Sequence, residues 1–229
     1  MKKVLLKLSG EALGSAGVEA KVLGRTVREI AAAAEKNSLA IVIGGGNIWR
    51  FRDKQNLAIE RVESDFLGMT ATVFNAIVLK NALVNLGLRA QVFSAVKIAD
   101  ELAEKYSANA ARKFLAKKGI AILAGGTGKS GVTTDTAAAL RANELNCDLV
   151  VKATNVAGVF DSDPRKSKSA KLLPEISFRE VLLKNLGVMD RQAFELLAQK
   201  KIPVRIFNFA KTGLLKKAVA GENVGSLIF

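Results

Sequence analysis

The chain alternates short apolar runs with stretches of helical spacing, and several of the apolar runs close on glycine. Val4 to Leu8 is apolar apart from Lys7 and is followed by Ser9-Gly10, the pattern of a buried strand ending in a tight turn. Val18 to Glu35 has helical spacing, and Leu39 to Ile43 is a strand-like run closed by Gly44-Gly45-Gly46-Asn47. Ser64 to Leu86 predicts a long helix that Gly87 stops. Arg89 to Ser94 predicts a strand and Ala108 to Lys117 a helix. Ile120 to Ala124 is a strand feeding a glycine-rich loop, which Thr134 to Asn146 leaves as a helix. Asp148 to Ala153 reads as a sixth strand, followed by a turn-rich segment, 154–164, with room for a small hairpin. Helices at Phe178 to Leu186 and Asp190 to Lys200, a strand at Val204 to Phe207, a helix at Thr212 to Ala220 and an apolar end, Ser226 to Phe229, complete the pattern. Strand, helix and strand in succession predict a parallel α/β sheet with ligands at the carboxyl ends of the strands. No repeat or linker divides residues 1–229, which predicts a single domain.

Composition narrows the chemistry. The 229 residues are 49% hydrophobic, enough for a full core. The N-terminus meets a charge at Lys7 before a signal core forms, and no apolar run is read as a membrane span, so a soluble, cytoplasmic protein without membrane partners is expected. The single cysteine, Cys147, permits no internal disulfide. Histidine is absent, which removes histidine acid–base chemistry, Ser-His and Cys-His nucleophiles and most catalytic zinc sites. Lys, Arg, Asp, Glu and backbone amides remain. A net charge of +14 points to anionic ligands. The basic residues are spread out, save for short clusters such as Lys166, Lys168 and Lys171.

Four glycine-bearing turns follow predicted strands: Ser9-Gly10, Gly44 to Gly46, Gly125 to Gly131 and the segment around Gly158. In a parallel sheet they gather on one edge, where glycine lets backbone amides approach an anion and helix N-termini favour negative charge. Gly128-Lys129-Ser130 matches the tail of a P-loop, but the glycine that motif requires at 123 is Leu123. Lys7 is costly to bury in an apolar strand unless an anion compensates it. Asp135, at a helix start, is placed to pair with it. Arg50 is a candidate phosphate fork and Asp65 a candidate ribose acceptor.

Six segments together carry a resemblance: Lys7-Leu-Ser-Gly-Glu-Ala-Leu13, Gly44-Gly-Gly-Asn-Ile-Trp-Arg50, Asp65-Phe-Leu-Gly-Met69, Gly126-Thr-Gly with Thr133-Thr-Asp135, Lys152-Ala-Thr-Asn-Val-Ala-Gly-Val-Phe160 with Asp163-Pro164, and Val188-Met-Asp190. In these the chain resembles the bacterial uridylate (UMP) kinases of the amino-acid kinase superfamily, in register from Lys3 to the C-terminus. The resemblance implies an α/β fold with an open, mainly parallel sheet sandwiched between helices, phosphoryl transfer from ATP to UMP, and an acceptor-nucleotide part over roughly 1–150 with an ATP-binding part over roughly 151–229. It places Lys7, Leu8, Ser9 and Gly10 at the ATP phosphates with Gly46 and Arg50 nearby, and Thr154, Phe160 and Asp163 at the adenosine side. Gly45, Asp65 and the span Thr127, Gly128, Lys129, Ser130, Gly131, Val132, Thr133 and Thr134 fall to UMP. Lys7, Asp135 and Asp190 are the catalytic set. It also implies a homohexamer built from dimers, with Mg²⁺ held mainly by the ATP phosphates and no protein metal site.

A phosphate acceptor already largely dianionic near neutral pH, its second pKa being about 6, needs no general base, which agrees with the missing histidines. The chain departs from the family at Lys129, Ser130, Gly131 and Val132, where Asn-Pro and two aromatic residues are usual, at Phe51 in place of a glycine, and at Ala157 in place of an aspartate. Two other readings stand beside the first: a superfamily member with another acceptor, and a basic nucleic-acid-binding protein. One Trp, one Tyr and no RNA or DNA module argue against the second. A third, a catalytically dead regulator, conflicts with the presence of Lys7 and Asp135.

Overall fold

The computed structural model describes residues 1–50, 57–164, 166–167 and 169–229; Phe51 and Lys168, singled out above, lie outside them. Among the described residues nine strands form one sheet in the order β4-β3-β5-β2-β1-β6-β10-β11-β9, with a separate two-stranded ribbon. The central strands are β1 (Lys3–Leu8), β2 (Ser38–Ile43), β3 (Ala90–Ser94), β5 (Ile120–Ala124), β6 (Leu149–Thr154) and β10 (Val204–Asn208). With the two-residue edge strand β4 (Glu104–Lys105) they run parallel, whereas β11 (Ser226–Ile228) is antiparallel to β10 and carries β9 (Glu175–Ile176) beside it.

Near-continuous apolar strands are what a sheet covered on both faces requires. On one face Val4, Leu6, Leu8, Ile41 and Val151 pack with residues of α1 (Ala20–Ala34), α2 (Arg61–Asn85) and α7 (Leu214–Ala220). On the other, Leu5, Val42 and Val150 meet α3 (Ala108–Ala116), α4 (Thr134–Glu144), α5 (Phe178–Leu183) and α6 (Arg191–Lys200). The predicted sandwich is therefore the observed one.

Two expectations are corrected. The turn-rich 154–164 segment does not close a hairpin on itself. Its strand β7 (Val159–Phe160) instead pairs antiparallel with β8 (Leu172–Leu173), further along the chain. And one run does have the length and apolarity of a membrane span: α2, with mean hydropathy 1.4 over 18 residues. Its Val73, Ala76, Leu79 and Leu83 are instead buried in the core, while Val62, Phe66 and Phe74 of the same helix are exposed.

Chain order and sheet order part at β1. Successive strands first spread to one side of it, through β2, and β6 then pairs on the other side. That reversal places a crevice at the carboxyl ends of the strands. Because β5, β2, β1 and β6 are parallel neighbours, the loops after all four emerge on one edge.

Candidate active site

Lys7 shares the face of Leu5, two residues earlier in β1, and so points toward α4. Its Nζ lies 3.0 Å from Asp135 Oδ1. The other carboxylate oxygen of Asp135 accepts from Lys152 Nζ at 2.5 Å, and Lys152 also donates to the Val188 carbonyl. Lys7 and Lys152 are register partners across the β1–β6 ladder. Two lysines thus stand side by side on adjacent strands with one aspartate between them, and their side chains are only 13% and 10% exposed. Burial pulls the Lys152 pKa below the ordinary lysine value; the Asp135 charge opposes this and the Lys7 charge adds to it. The group carries a net positive charge, an arrangement that an anion completes.

Asp190 is the N-cap of α6, where it accepts from the Ala193 amide at 2.9 Å. It also accepts from the hydroxyls of Thr133 (2.6 Å) and Thr136 (2.7 Å), which ties the start of α6 to the start of α4. Burial works to raise its carboxyl, but these bonds and the Lys152 charge outweigh it and hold the group below the ordinary carboxylate value. Asp190 is therefore a bracket around Asp135, with Lys152 as its charged neighbour.

Two clefts flank this cluster. The first, about 480 Å³, is lined by Lys152, Thr154, Phe160, Asp163 and the 185–188 turn. The second, about 340 Å³, lies between α2 and the loop after β5, and is lined by Gly45, Gly46, Trp49, Asp65, Lys129 and Thr134 among others. The expected ATP residues Thr154, Phe160 and Asp163 thus share one cleft, and the expected UMP residues Gly45, Asp65, Lys129, Val132, Thr133 and Thr134 share the other, together with Gly46. Gly45 is required here: a Cβ would stand 2.7 Å from that of Ala71 in α2.

Some expected residues are already engaged. Asp65 accepts from the Ser130 hydroxyl and the Gly131 amide, both at 2.7 Å, and from Arg61 at 3.0 Å. Burial raises its carboxyl pKa, but these donors more than reverse that. The Ser-Gly part of the unusual insert is thereby fastened to α2. Arg50 donates from Nε to the Gly46 carbonyl at 2.6 Å and is ion-paired with Glu11, which also accepts from Asn155. The Leu8 side chain is buried in the core and its carbonyl accepts from the Gly44 amide, so only its backbone reaches the edge. Ser9 and Gly10 open a single 3-10 turn directly after β1. Gly128 turns toward a neighbouring hollow lined by Phe66, Val96 and Ile98.

Three participants escaped the sequence reading. Lys152 is one, although a lysine within Leu149-Val-Val-Lys-Ala-Thr154 is the same signal that singled out Lys7. Trp49, whose indole donates to the Ser64 hydroxyl at 2.8 Å, is another. Asn75 is the third: fully buried in α2, it donates to the Gly44 carbonyl and to Asn47 Oδ1, and Asn47 in turn donates to the Gly17 carbonyl. Nothing in helical periodicity distinguishes such an asparagine.

A doubly covered parallel sheet with a buried cationic cluster and glycine loops at one edge defines a phosphate-handling α/β protein of the phosphotransferase class. The profile of the amino acid kinase family matches residues 2–208. A uridylate kinase of Xanthomonas euvesicatoria pv. vesicatoria (strain 85-10) is 42% identical over 231 residues, covering 99% of this chain and 96% of that protein. Among solved structures, UMP kinase from Bacillus anthracis superposes with a TM-score of 0.95 at 35% identity, covering 99% of this chain and 95% of the other. UMP kinase from Ureaplasma parvum gives 0.93 at 32% identity, with 99% and 98% covered. The chain belongs to the amino acid kinase family.

Proposed function

We propose that this protein is an ATP-dependent UMP kinase: ATP binds in the cleft after β6, UMP in the cleft between α2 and the loop after β5, and the γ-phosphoryl group passes between them over Lys7 and Lys152. The observation that carries this reading is the lysine pair held by one aspartate between two clefts of nucleotide scale. In-line transfer to a phosphate acceptor needs alignment and neutralisation of spreading negative charge. Lys7 and Lys152 supply fixed positive charge there, Asp135 fixes their direction, and the amides of the glycine loops supply further donors. The halves at roughly 1–150 and 151–229 then serve acceptor and ATP respectively, as the linings of the two clefts divide.

Magnesium fits as an ion carried by the nucleotide. Among the described residues no three acidic or thiol groups converge, and the carboxylates of the cluster are already engaged by lysines and hydroxyls. Bound on the ATP phosphates, the ion would neutralise part of their charge. The exposed apolar face of α2 supports assembly into a homo-oligomer, the hexamer that the resemblance implies, since contiguous apolar surface of this kind marks contact sites.

A coupled ADP-release assay across UMP, CMP, dUMP, aspartate and acetylglutamate tests the reading. Turnover is expected with UMP above all; turnover only with an amino-acid acceptor overturns it. Lys7→Ala loses most turnover while UMP binding stays measurable by calorimetry.

A further inference from the structure

The loop that forms one wall of the acceptor cleft is anchored from below by a residue that touches neither cleft. Arg141, in the last turn of α4, is 5% exposed. Its Nη2 donates to the Gly126 carbonyl at 3.0 Å and its Nη1 to Glu144 Oε2 at 2.7 Å. The guanidinium lies over the Tyr106 ring, 3.7 Å from its centroid, and the Tyr106 hydroxyl donates to the same Glu144 oxygen. Tyr106 is itself fixed by its amide bond to the Ser94 carbonyl, and Arg112 donates to the Glu144 carbonyl. A buried arginine is expensive unless paired. Here a carboxylate, a ring face and a backbone carbonyl meet it, and the last of these belongs to a glycine loop.

That bond has a directional effect. In a trans peptide the carbonyl and the next N–H point opposite ways. Drawing the Gly126 carbonyl toward Arg141 therefore turns the Thr127 amide away from the core, and among the described residues no protein acceptor takes it. Gly126 has φ +55°, a left-handed conformation that is one of several open to glycine, so a clamp is what selects it. The preceding residue is pinned from the other side, since the Gly125 amide donates to the Thr72 hydroxyl at 2.8 Å. The same helix carries Asp135 in its first turn, so one rigid strut sets both the lysine-pairing carboxylate and the loop backbone.

We propose that Arg141 is a positioning residue for the acceptor: clamped by Tyr106 and Glu144, it fixes the Gly126–Thr127 peptide so that the Thr127 amide is presented to the acceptor nucleotide. The inference rests on the reading that the α2 cleft takes UMP. It makes Arg141 matter to the acceptor and not to ATP, although the residue lies outside both clefts.

Arg141→Met and Arg141→Lys are compared with wild type and with Leu115→Ala, a buried α3 change that lowers stability without touching the loop. KM for UMP, KM for ATP and hydrogen exchange of the ligand-free 125–128 amides are measured. In the Arg141 variants KM for UMP rises about tenfold, the loss of one hydrogen bond from the Thr127 amide to a charged acceptor. KM for ATP stays within about twofold of wild type, and the loop amides exchange faster. Leu115→Ala leaves the ratio of the two KM values unchanged. Equal changes in both KM values, or an unchanged UMP KM, overturn the proposal. If Arg141→Met does not fold, Arg141→Lys decides alone. Should wild type reject UMP, the functional reading fails at that control, and the positioning role is decided with whichever acceptor wild type uses, together with the loop exchange.

Discussion

At the scale of single residues, the cluster is built from charges that are stable only in one another's company. Removing one partner of a buried ion pair typically costs about 3–5 kcal/mol, because the other charge is left unpaired in low dielectric. Asp190 offers a measurable consequence with a definite sign. Its carboxyl is held below the ordinary value of 3.8 in the folded protein, so the unfolded chain binds that proton more readily. The stability it contributes is fully present above pH 3.8 and is lost as pH falls through its lower folded value. In Asp190→Asn this component of the acid slope is absent, so urea unfolding below about pH 4 depends less steeply on pH than in wild type. An identical slope in both proteins would show that the capping bonds to Thr133, Thr136 and Ala193 do not perturb the carboxyl. Lys152 shows why the site was only half readable from the chain. Lysine in an apolar strand marked Lys7, but the meaning of Lys152 depends on its register opposite Lys7, a relation that no local pattern contains.

At the scale of elements, legibility followed periodicity. The strand at Ile120–Ala124 was predicted to the residue, and α3 to within one residue. The four short strands β4, β7, β8 and β9 were not, because two residues carry no alternation. Their strand character comes from a partner distant in sequence, as when β9 is recruited by β11. The long helix begins at Arg61, three residues before Ser64, since its first turn has no side-chain cap to announce it. The same helix carries a prediction. Val62, Phe66 and Phe74 are exposed apolar side chains along it, Val62 and Phe66 at the i, i+4 spacing of neighbours on a helix. If the protein assembles as proposed, Phe74→Lys is expected to lower its mass in light scattering without changing its circular dichroism. An unchanged mass would remove this face from the proposed assembly.

At the scale of the whole molecule, the chain order of the sheet reverses at β1. The loops after β1, β2, β5 and β6 then face the same edge, where the two clefts lie; the proposed donor and acceptor roles of those clefts rest on this reversal. The broad architecture was legible because covered parallel strands are apolar throughout. The division into an acceptor part and an ATP part came from the family resemblance and not from periodicity, because it depends on which loops become neighbours. One departure from the usual pattern also reads differently in three dimensions. The Ser130-Gly131 insert is fastened to Asp65, so the loop is held even without the aromatic pair.

The lysine ladder also bears on how the molecule reaches its fold. Pairing β1 with β6 closes a loop of most of the chain, as the bond from the Lys3 amide to Asp148 across 145 residues illustrates, and such distant pairings are slow to form. Zipping this ladder brings two ammonium groups opposite one another, which is unfavourable until α4 delivers Asp135. Inorganic phosphate in the refolding buffer is expected to stand in for the missing anion at that moment. Refolding followed by tryptophan fluorescence is expected to be faster in phosphate than in chloride at equal ionic strength, and the advantage disappears in Lys152→Met. Equal rates in the two salts would mean that the ladder closes only after the aspartate has arrived. The feature that readies the crevice for nucleotides would thus also make cellular anions into folding aids for the newly made chain.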